Sequence, residues 1–213
     1  MRVLVLALMS LCSMASAQRN EQVMARVARI EATLRETRYQ HRTDVDVARG
    51  RYRFDCSGMV TWILRSSAPG AARGLGASRP VARTYARAIA RAPANGQRRG
   101  WRRIERWQDV RPGDVFAFER PGWWPSRNTG HTGIVVSPLR WAGPGTSAGE
   151  IVDSTDLSHG GDGRALGGRG GFGRATMSFH GLRGLGGDFA GFGWFGPLGP
   201  VMWQRVFIGR PMR

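Results

Sequence analysis

One cysteine of this chain stands in a setting that favours nucleophilic chemistry. Cys56 lies in the stretch FDCSGMV, at the predicted start of a helix, between Asp55 and Ser57. The thiolate is the reactive form of cysteine, and the positive end of a helix favours it. The free backbone N–H groups of a helix start can also stabilise the oxyanion of acyl transfer. We therefore expect Cys56 to be a nucleophile, Asp55 to be the N-cap, and Ser57 to lie at the oxyanion position.

A thiol nucleophile needs a general base, and the base needs an acceptor that orients it. The chain has four histidines, and His131 begins the predicted strand HTGIVV. The next predicted strand, EIVDST, brings Asp153 beside His131 if the two strands pair. The sequence thus predicts a catalytic triad of Cys56, His131 and Asp153.

Two other chemistries remain open. The run DSTDLSHGGD offers Asp153, Asp156, His159 and Asp162 as metal ligands, although the spacing matches no specific metal motif. The run RRGWRRIERW could stack on bases, but no nucleic-acid-binding motif accompanies it. A lone cysteine or histidine is more often structural than catalytic, so the triad depends on the combination.

The elements that must position these residues follow from hydrophobic periodicity. A period of 3.6 predicts helices over 20–36, from Cys56 to the Pro69-Gly70 pair, and over 81–91. Alternation predicts strands at the following ranges: 113–118, 131–136, 150–155, 174–180 and 201–208. Residues 38–53 show only turn-forming composition. Helices first and antiparallel strands second predict an α+β fold.

The rest of the chain has the length of one domain, residues 18–213. Within it, 16 of the 40 residues from Gly160 to Gly199 are glycine. Such a composition favours long loops over a packed core, so we expect glycine-rich loops at about 160–199 around one strand.

The first 17 residues predict a secretory signal peptide. A basic Arg2 precedes an apolar run, and small residues at Ala15 and Ala17 favour cleavage after Ala17. The run is shorter than the roughly 20 residues of a membrane-spanning helix. We therefore expect an exported, soluble chain, periplasmic or extracellular, that does not span the membrane. Cleavage would leave Cys56 as the one thiol, either reactive or paired between chains.

The charge of the chain points to an anionic partner. The formal net charge is +17, and all 32 basic residues are arginine. A genome rich in G and C accounts for part of this excess, because arginine, alanine and glycine are abundant together. The remaining excess favours contact with a polyanion. For an exported chain, that polymer is a component of the cell envelope rather than nucleic acid.

The motifs, taken in order, resemble the NlpC family of bacterial cell-wall cysteine peptidases. FDCSGMV resembles the nucleophile motif, RPGDVFAF the strand after the helices, and TGHTGIVV the strand that carries the base. The resemblance covers roughly 39–155 and implies a papain-like core, with Cys56 as nucleophile and His131 as base. It gives Asp153 the orienting role, where the family often has histidine, and suggests that Tyr39 lines the site.

The resemblance implies hydrolysis of an amide in peptidoglycan peptides, with peptidoglycan or another anionic envelope polymer as partner and no cofactor. Two alternatives remain. The chain could be a non-catalytic module that binds envelope polymer through its arginines, or an amidase or acyltransferase that uses the same triad on another amide.

Overall fold

The computed structural model describes residues 2–121, 128–157, 159, 160, 162, 170–182 and 187–212, with side chains from residue 18 onward. The helices are α1 Arg2–Thr33, α2 Cys56–Ser67, α3 Pro69–Gly74 and α4 Ala82–Ala90. The strands are β1 Glu36–Tyr39, β2 Asp44–Asp46, β3 Arg51–Phe54, β4 Trp101–Ile104, β5 Val115–Glu119, β6 Gly130–Val135, β7 Arg140–Gly143, β8 Thr146–Thr155, β9 Gly171–Leu182, β10 Gly187–Gly193 and β11 Phe207–Pro211.

Within the described residues, the strands form two sheets. The larger has eight strands in the order β10-β9-β8-β6-β5-β11-β4, with β7 paired to β8. All of its pairings are antiparallel. The smaller has the order β1-β3-β2, and β1 runs parallel to β3. The α+β class expected from the sequence is confirmed.

The large sheet divides the core into two apolar clusters. Alternate residues of β5 point to opposite faces, so that Val115 belongs to the cluster shared with the helices and Phe116 to the other. Helix α1 contributes Val23, Val27 and Ile30 to the helical cluster, and all three are fully buried. This is the stripe that the periodicity predicts, although the helix ends at Thr33 rather than at residue 36. The predicted signal peptide lies within α1, and its side chains are outside the described residues.

Two expected elements differ from the structure. Residues 38–53, for which the sequence predicts only turns, contain most of the three-stranded sheet, because strands of three or four residues are too short to show a period. The strand expected at 201–208 is wrong for most of its length. Met202 forms one isolated bridge to Phe192, and the strand itself begins at Phe207.

The described part of the glycine-rich segment forms strand β9, which contains the strand expected at 174–180, and strand β10, where the sequence predicts a loop. Four of its aromatic residues are buried in the core: Phe172, Phe179, Phe189 and Phe192. Glycine weakens a strand, but aromatic neighbours bury enough area to hold it in a sheet. The loop expectation is therefore wrong for β10 and for the ends of β9. Residues 161, 163–169 and 183–186 of the segment lie outside the described residues.

Candidate active site

The predicted nucleophile begins helix α2. Asp55 is the N-cap in an extended backbone conformation, and its Oδ1 atom accepts the Gly58 N–H at 2.6 Å and the Ser57 hydroxyl at 2.9 Å. The expectation that Asp55 caps this helix is confirmed. The first amides of a helix have no acceptor within the helix. Since Asp55 binds the third of them, the N–H groups of Cys56 and Ser57 are the two that remain to bind an anion.

Glycine at position 58 is required by the cap. A Cβ atom there would lie 2.6 Å from Oγ1 of Thr43 and 3.2 Å from the capping oxygen of Asp55. A side chain would therefore push the carboxylate away from the helix start. This contact explains the Asp-Cys-Ser-Gly order of the motif in local physical terms.

Cys56 is a free cysteine with 6% of its surface exposed. The parallel pairing of β1 and β3 places Tyr39 opposite Phe54, which lies two residues before Cys56. Burial raises the pKa of Tyr39, and the negative charges of Cys56 and Asp55 raise it further. Tyr39 is thus near enough to Cys56 and Asp55 for their charges to affect its titration, and its role in lining the site remains what the resemblance implies.

His131 and Asp153 meet at one end of the large sheet. Strands β6 and β8 pair antiparallel, with Ile134 opposite Val152, and this register puts His131 and Asp153 on the same face. The His131 Nε2 atom lies 2.7 Å from Oδ2 of Asp153. The carboxylate is fully buried, and 13% of the His131 side chain is exposed. The predicted pairing of the base with its acid is present.

A second histidine, His159, binds the same carboxylate oxygen. Its Nε2 atom lies 3.0 Å from Oδ2 of Asp153, and only 3% of its side chain is exposed. Its ring stacks on Trp194, with centroids 4.2 Å apart and planes at 5°. The sequence predicts His159 only as a metal ligand. No periodic signal could have found this contact, because His159 follows the end of β8 and reaches Asp153 through the path of the loop.

The metal ligand set expected from the sequence needs correction. Among the described residues, the one group able to hold a metal ion is His131, Asp153 and His159, whose ligand atoms lie within 4.8 Å of one another. Asp156 and Asp162 are not part of it. Asp162 instead accepts the backbone N–H of His159 at 2.9 Å and so fixes the start of that loop. The sulfur of Cys56 also lies outside this three-residue group.

Cys56 interacts with one member of the group, His131. Burial by itself lowers the pKa of His131, but the charge of Cys56, the hydrogen bond to Asp153 and a hydrogen bond with Cys56 together raise it to about 10. The Cys56 sulfur is thus close enough to affect the titration of His131, while Nε2 of His131 is bound to Asp153.

A cavity of about 280 Å³ lies beside the capped end of α2. Asp55, Ser57 and Gly58 form part of its wall, and three arginines line it as well: Arg42, Arg65 and Arg79. Two of them are held in place by backbone carbonyls, because Arg65 donates to Ser78 and Arg79 donates to His41. The cavity is suited to a ligand that carries carboxylate groups.

No protein-family model matches the chain, and no curated protein or solved structure matches it significantly. Across the part of the chain that the structure describes, no helix has both the length and the apolar character needed to cross a membrane.

The described site therefore consists of a buried carboxylate that holds the imidazole of His131, with the Cys56 sulfur at the capped start of α2 near enough to raise the pKa of that imidazole. The second histidine on the carboxylate is an addition that a three-residue triad does not require.

Proposed function

We propose that this chain is a thiol hydrolase that cleaves an amide bond, with Cys56 as nucleophile, His131 as acid and base, and Asp153 as the orienting acid. The observation that carries the proposal is the 2.7 Å hydrogen bond between His131 and the buried Asp153, at the end of the sheet near Cys56. Asp153 and Cys56 both raise the pKa of His131, which favours an imidazolium that can donate a proton in the reaction.

The reaction proceeds in two stages. The Cys56 sulfur attacks the amide carbonyl carbon, and a thioester forms as the C–N bond breaks. His131 gives its proton to the departing amine. His131 then takes a proton from water, the resulting hydroxide attacks the thioester carbon, and the C–S bond breaks to release the acid and return the sulfur beside protonated His131. Asp153 keeps the ring in one tautomer throughout.

The oxyanion of each stage is bound by the backbone N–H groups at the start of α2. The N–H groups of Cys56 and Ser57 lie at the positive end of the helix, which favours a bound anion. The Ser57 hydroxyl is committed to Asp55, so its contribution is the backbone amide. Tyr39 adds a phenol hydroxyl on the side of β1.

The substrate we propose is a peptide amide of peptidoglycan, cleaved outside the cytoplasm on a papain-like core. This part of the proposal depends on the resemblance of FDCSGMV, RPGDVFAF and TGHTGIVV to the NlpC family. It is also supported by the cavity lined by Arg42, Arg65 and Arg79, because peptidoglycan stem peptides carry free carboxylates.

The test is the release of soluble peptide fragments from purified sacculi and from isolated muropeptides. The Cys56→Ala variant should release none above background, while Cys12→Ala, which removes the other cysteine, should match the unmodified chain. Equal release by Cys56→Ala and the unmodified chain would overturn the thiol mechanism. Activity on simple amides but not on muropeptides would keep the mechanism and reject the substrate.

A second candidate is a metal hydrolase, favoured by the three ligand atoms of His131, Asp153 and His159 within 4.8 Å. Two histidines and one carboxylate are a ligand set of catalytic zinc sites. Metal binding at the Nε2 atoms would replace both hydrogen bonds to Asp153. The effects of a chelator and of iodoacetamide on activity distinguish the two candidates. A metal hydrolase would lose activity on dialysis against a chelator and recover it with Zn²⁺, whereas the thiol hydrolase would lose activity with iodoacetamide and not with the chelator.

A further inference from the structure

A second cavity, of about 360 Å³, lies between α3, α4 and the turn that precedes β4. Its wall contains five arginines and no acidic residue: Arg83, Arg87, Arg91, Arg98 and Arg99. Ligand-binding cavities in proteins commonly begin at about 300 Å³. The volume is therefore sufficient for a small multiply charged group or for a segment of a polymer.

Two of the five arginines share one carboxylate, that of Glu119. Glu119 lies 2.9 Å from Nε of Arg83, and it accepts two hydrogen bonds from Arg87, at 2.9 and 2.8 Å. This pairing holds the side chains of α4 in place at one side of the cavity. Glu119 is thus the carboxylate that pairs with these two arginines.

The other three arginines, Arg91, Arg98 and Arg99, have exposed side chains, and none of those side chains has a hydrogen-bond or ion-pair partner among the described residues. Three guanidinium groups without a described partner therefore remain at one cavity, and the single charge of Glu119 balances only one of the other two. Like charges that converge without a counter-ion destabilise the folded state, so this arrangement has a cost unless an anion occupies it.

The backbone of Arg99 adds an independent observation. Arg98 and Trp101 exchange two backbone hydrogen bonds, of 2.8 and 3.0 Å, across the two-residue turn Arg99-Gly100. Both turn residues have positive φ, 50° and 77°. Asparagine and glycine are the residues that such turns prefer at the first position, and arginine is disfavoured there. The turn is also fixed from outside, because Gly74 of α3 packs directly against the Arg99 carbonyl group.

We infer that this cavity binds an oligoanion that bears several phosphate groups. Guanidinium forks bind phosphate oxygens in pairs, and three unneutralised forks match a ligand with at least two phosphates. A single carboxylate would neutralise only one of the three. The strained arginine at position 99 is then explained by its contact with the ligand. The ligand is either a free oligophosphate or a phosphate polymer of the envelope, and both offer the same chemistry.

The test is titration calorimetry of the purified full chain with tripolyphosphate and, separately, with a polymer of glycerol phosphate. Replacing Arg91, Arg98 and Arg99 together by Gln should weaken both interactions by at least about tenfold. The matched control replaces Arg29, Arg111 and Arg140, three exposed arginines outside the cavity, and lowers the net charge equally. Equal affinities for the two triple variants would overturn the inference, as would equal binding of citrate and tripolyphosphate.

A single substitution keeps the test independent of folding. Arg99→Asn puts the preferred residue into the turn, so it should raise the midpoint of thermal unfolding while lowering tripolyphosphate affinity. A rise in both quantities would reject a ligand role for Arg99. The Cys56→Ala variant should bind as the unmodified chain does, which separates this site from the proposed hydrolase. The two titrants decide the source: binding of tripolyphosphate alone indicates a free oligophosphate, and tighter binding of the polymer indicates an envelope polymer.

Discussion

The hydroxyl of Ser154 donates a buried hydrogen bond to the carbonyl oxygen of Phe54, 2.7 Å away. Ser154 directly follows Asp153 in β8, and Phe54 lies two residues before Cys56. One bond therefore links the strand that carries the acid to the segment that carries the sulfur, across 100 positions of the chain. It fixes the separation between the two halves of the candidate site.

We expect Ser154→Ala to lower both stability and turnover. The substitution leaves the Phe54 carbonyl with the Gln40 N–H, 3.3 Å away, as its remaining donor, so the loss is that of one hydrogen bond, about 0.5–1.5 kcal/mol in free energy of unfolding. Because the sulfur and the acid are no longer tied together, kcat should also fall. Ser67→Ala removes a comparable buried bond, 2.9 Å to Ile63 at the far end of α2, and should affect stability alone. Urea unfolding and peptide-release kinetics on both variants measure this; equal kcat values would contradict the positioning role.

The raised pKa of His131 predicts how stability depends on pH. A group with a raised folded-state pKa contributes stability that is complete below its unfolded value and is lost as the pH rises through the folded value. For His131 these values are 6.5 and about 10. The free energy of unfolding should therefore decline between pH 6.5 and 10.

Asp153→Asn removes the acid that helps to raise the folded-state pKa of His131, so the decline should become smaller and end at a lower pH, while still beginning near 6.5. Asp156→Asn, an exposed carboxylate nearby, should leave the profile as it is. Urea unfolding at intervals from pH 6 to 10.5 gives the comparison. A profile unchanged by Asp153→Asn would mean that this carboxylate does not hold the imidazolium.

His159 is expected to act as a positioning residue through Asp153. Replacing it with Gln loosens the carboxylate and the ring stacked on Trp194, so kcat should fall by roughly tenfold with little change in KM, and the alkaline limb of the pH–rate profile should move. His180→Gln is the matched control. Counted over the whole residue, His159 and His180 each have 7% of their surface exposed, but the hydrogen bonds of His180 go to Ser178 and Thr146. Loss of stability without any change in the pH–rate profile of His159→Gln would assign His159 a structural role only.

The RPGD turn, residues 111–114, should contribute strongly to the free energy of unfolding of the chain. Asp114 is fully buried and forms two bonds to Arg210, of 2.9 and 2.7 Å, and one of 2.9 Å to Asn20 of α1. Arg210→Met leaves that carboxylate without its cation, which costs on the order of 3–5 kcal/mol. Arg205→Met, at an exposed arginine, should cost less than about 1 kcal/mol. Thermal unfolding of both variants tests this, and equal midpoints would show that the buried pair contributes nothing.

Sequence reasoning found the parts of the site that depend on short spacing. The N-cap of α2 is a contact over three residues, and the alternation of β6 places His131, so both could be predicted from neighbouring positions. The pairing of β6 with β8 follows from the expectation that the two strands are neighbours, and it holds although β7, which the sequence does not predict, lies between them in the chain. In the glycine-rich segment the sequence predicts the strand at 174–180 but not β10, because composition describes the weakness of glycine and not the burial that Phe189 and Phe192 gain in the sheet.

What the sequence by itself determined is the local chemistry: a cysteine at a capped helix start, a histidine on a strand and a carboxylate on the next strand. What only the tertiary structure decided is which groups share a hydrogen bond over long separations, namely His159 on Asp153, Ser154 on Phe54, and the arginines that meet at the second cavity. The physical reason is that helix and strand periods constrain residues a few positions apart, whereas these contacts depend on the paths of loops and the packing of whole elements, which no local pattern encodes.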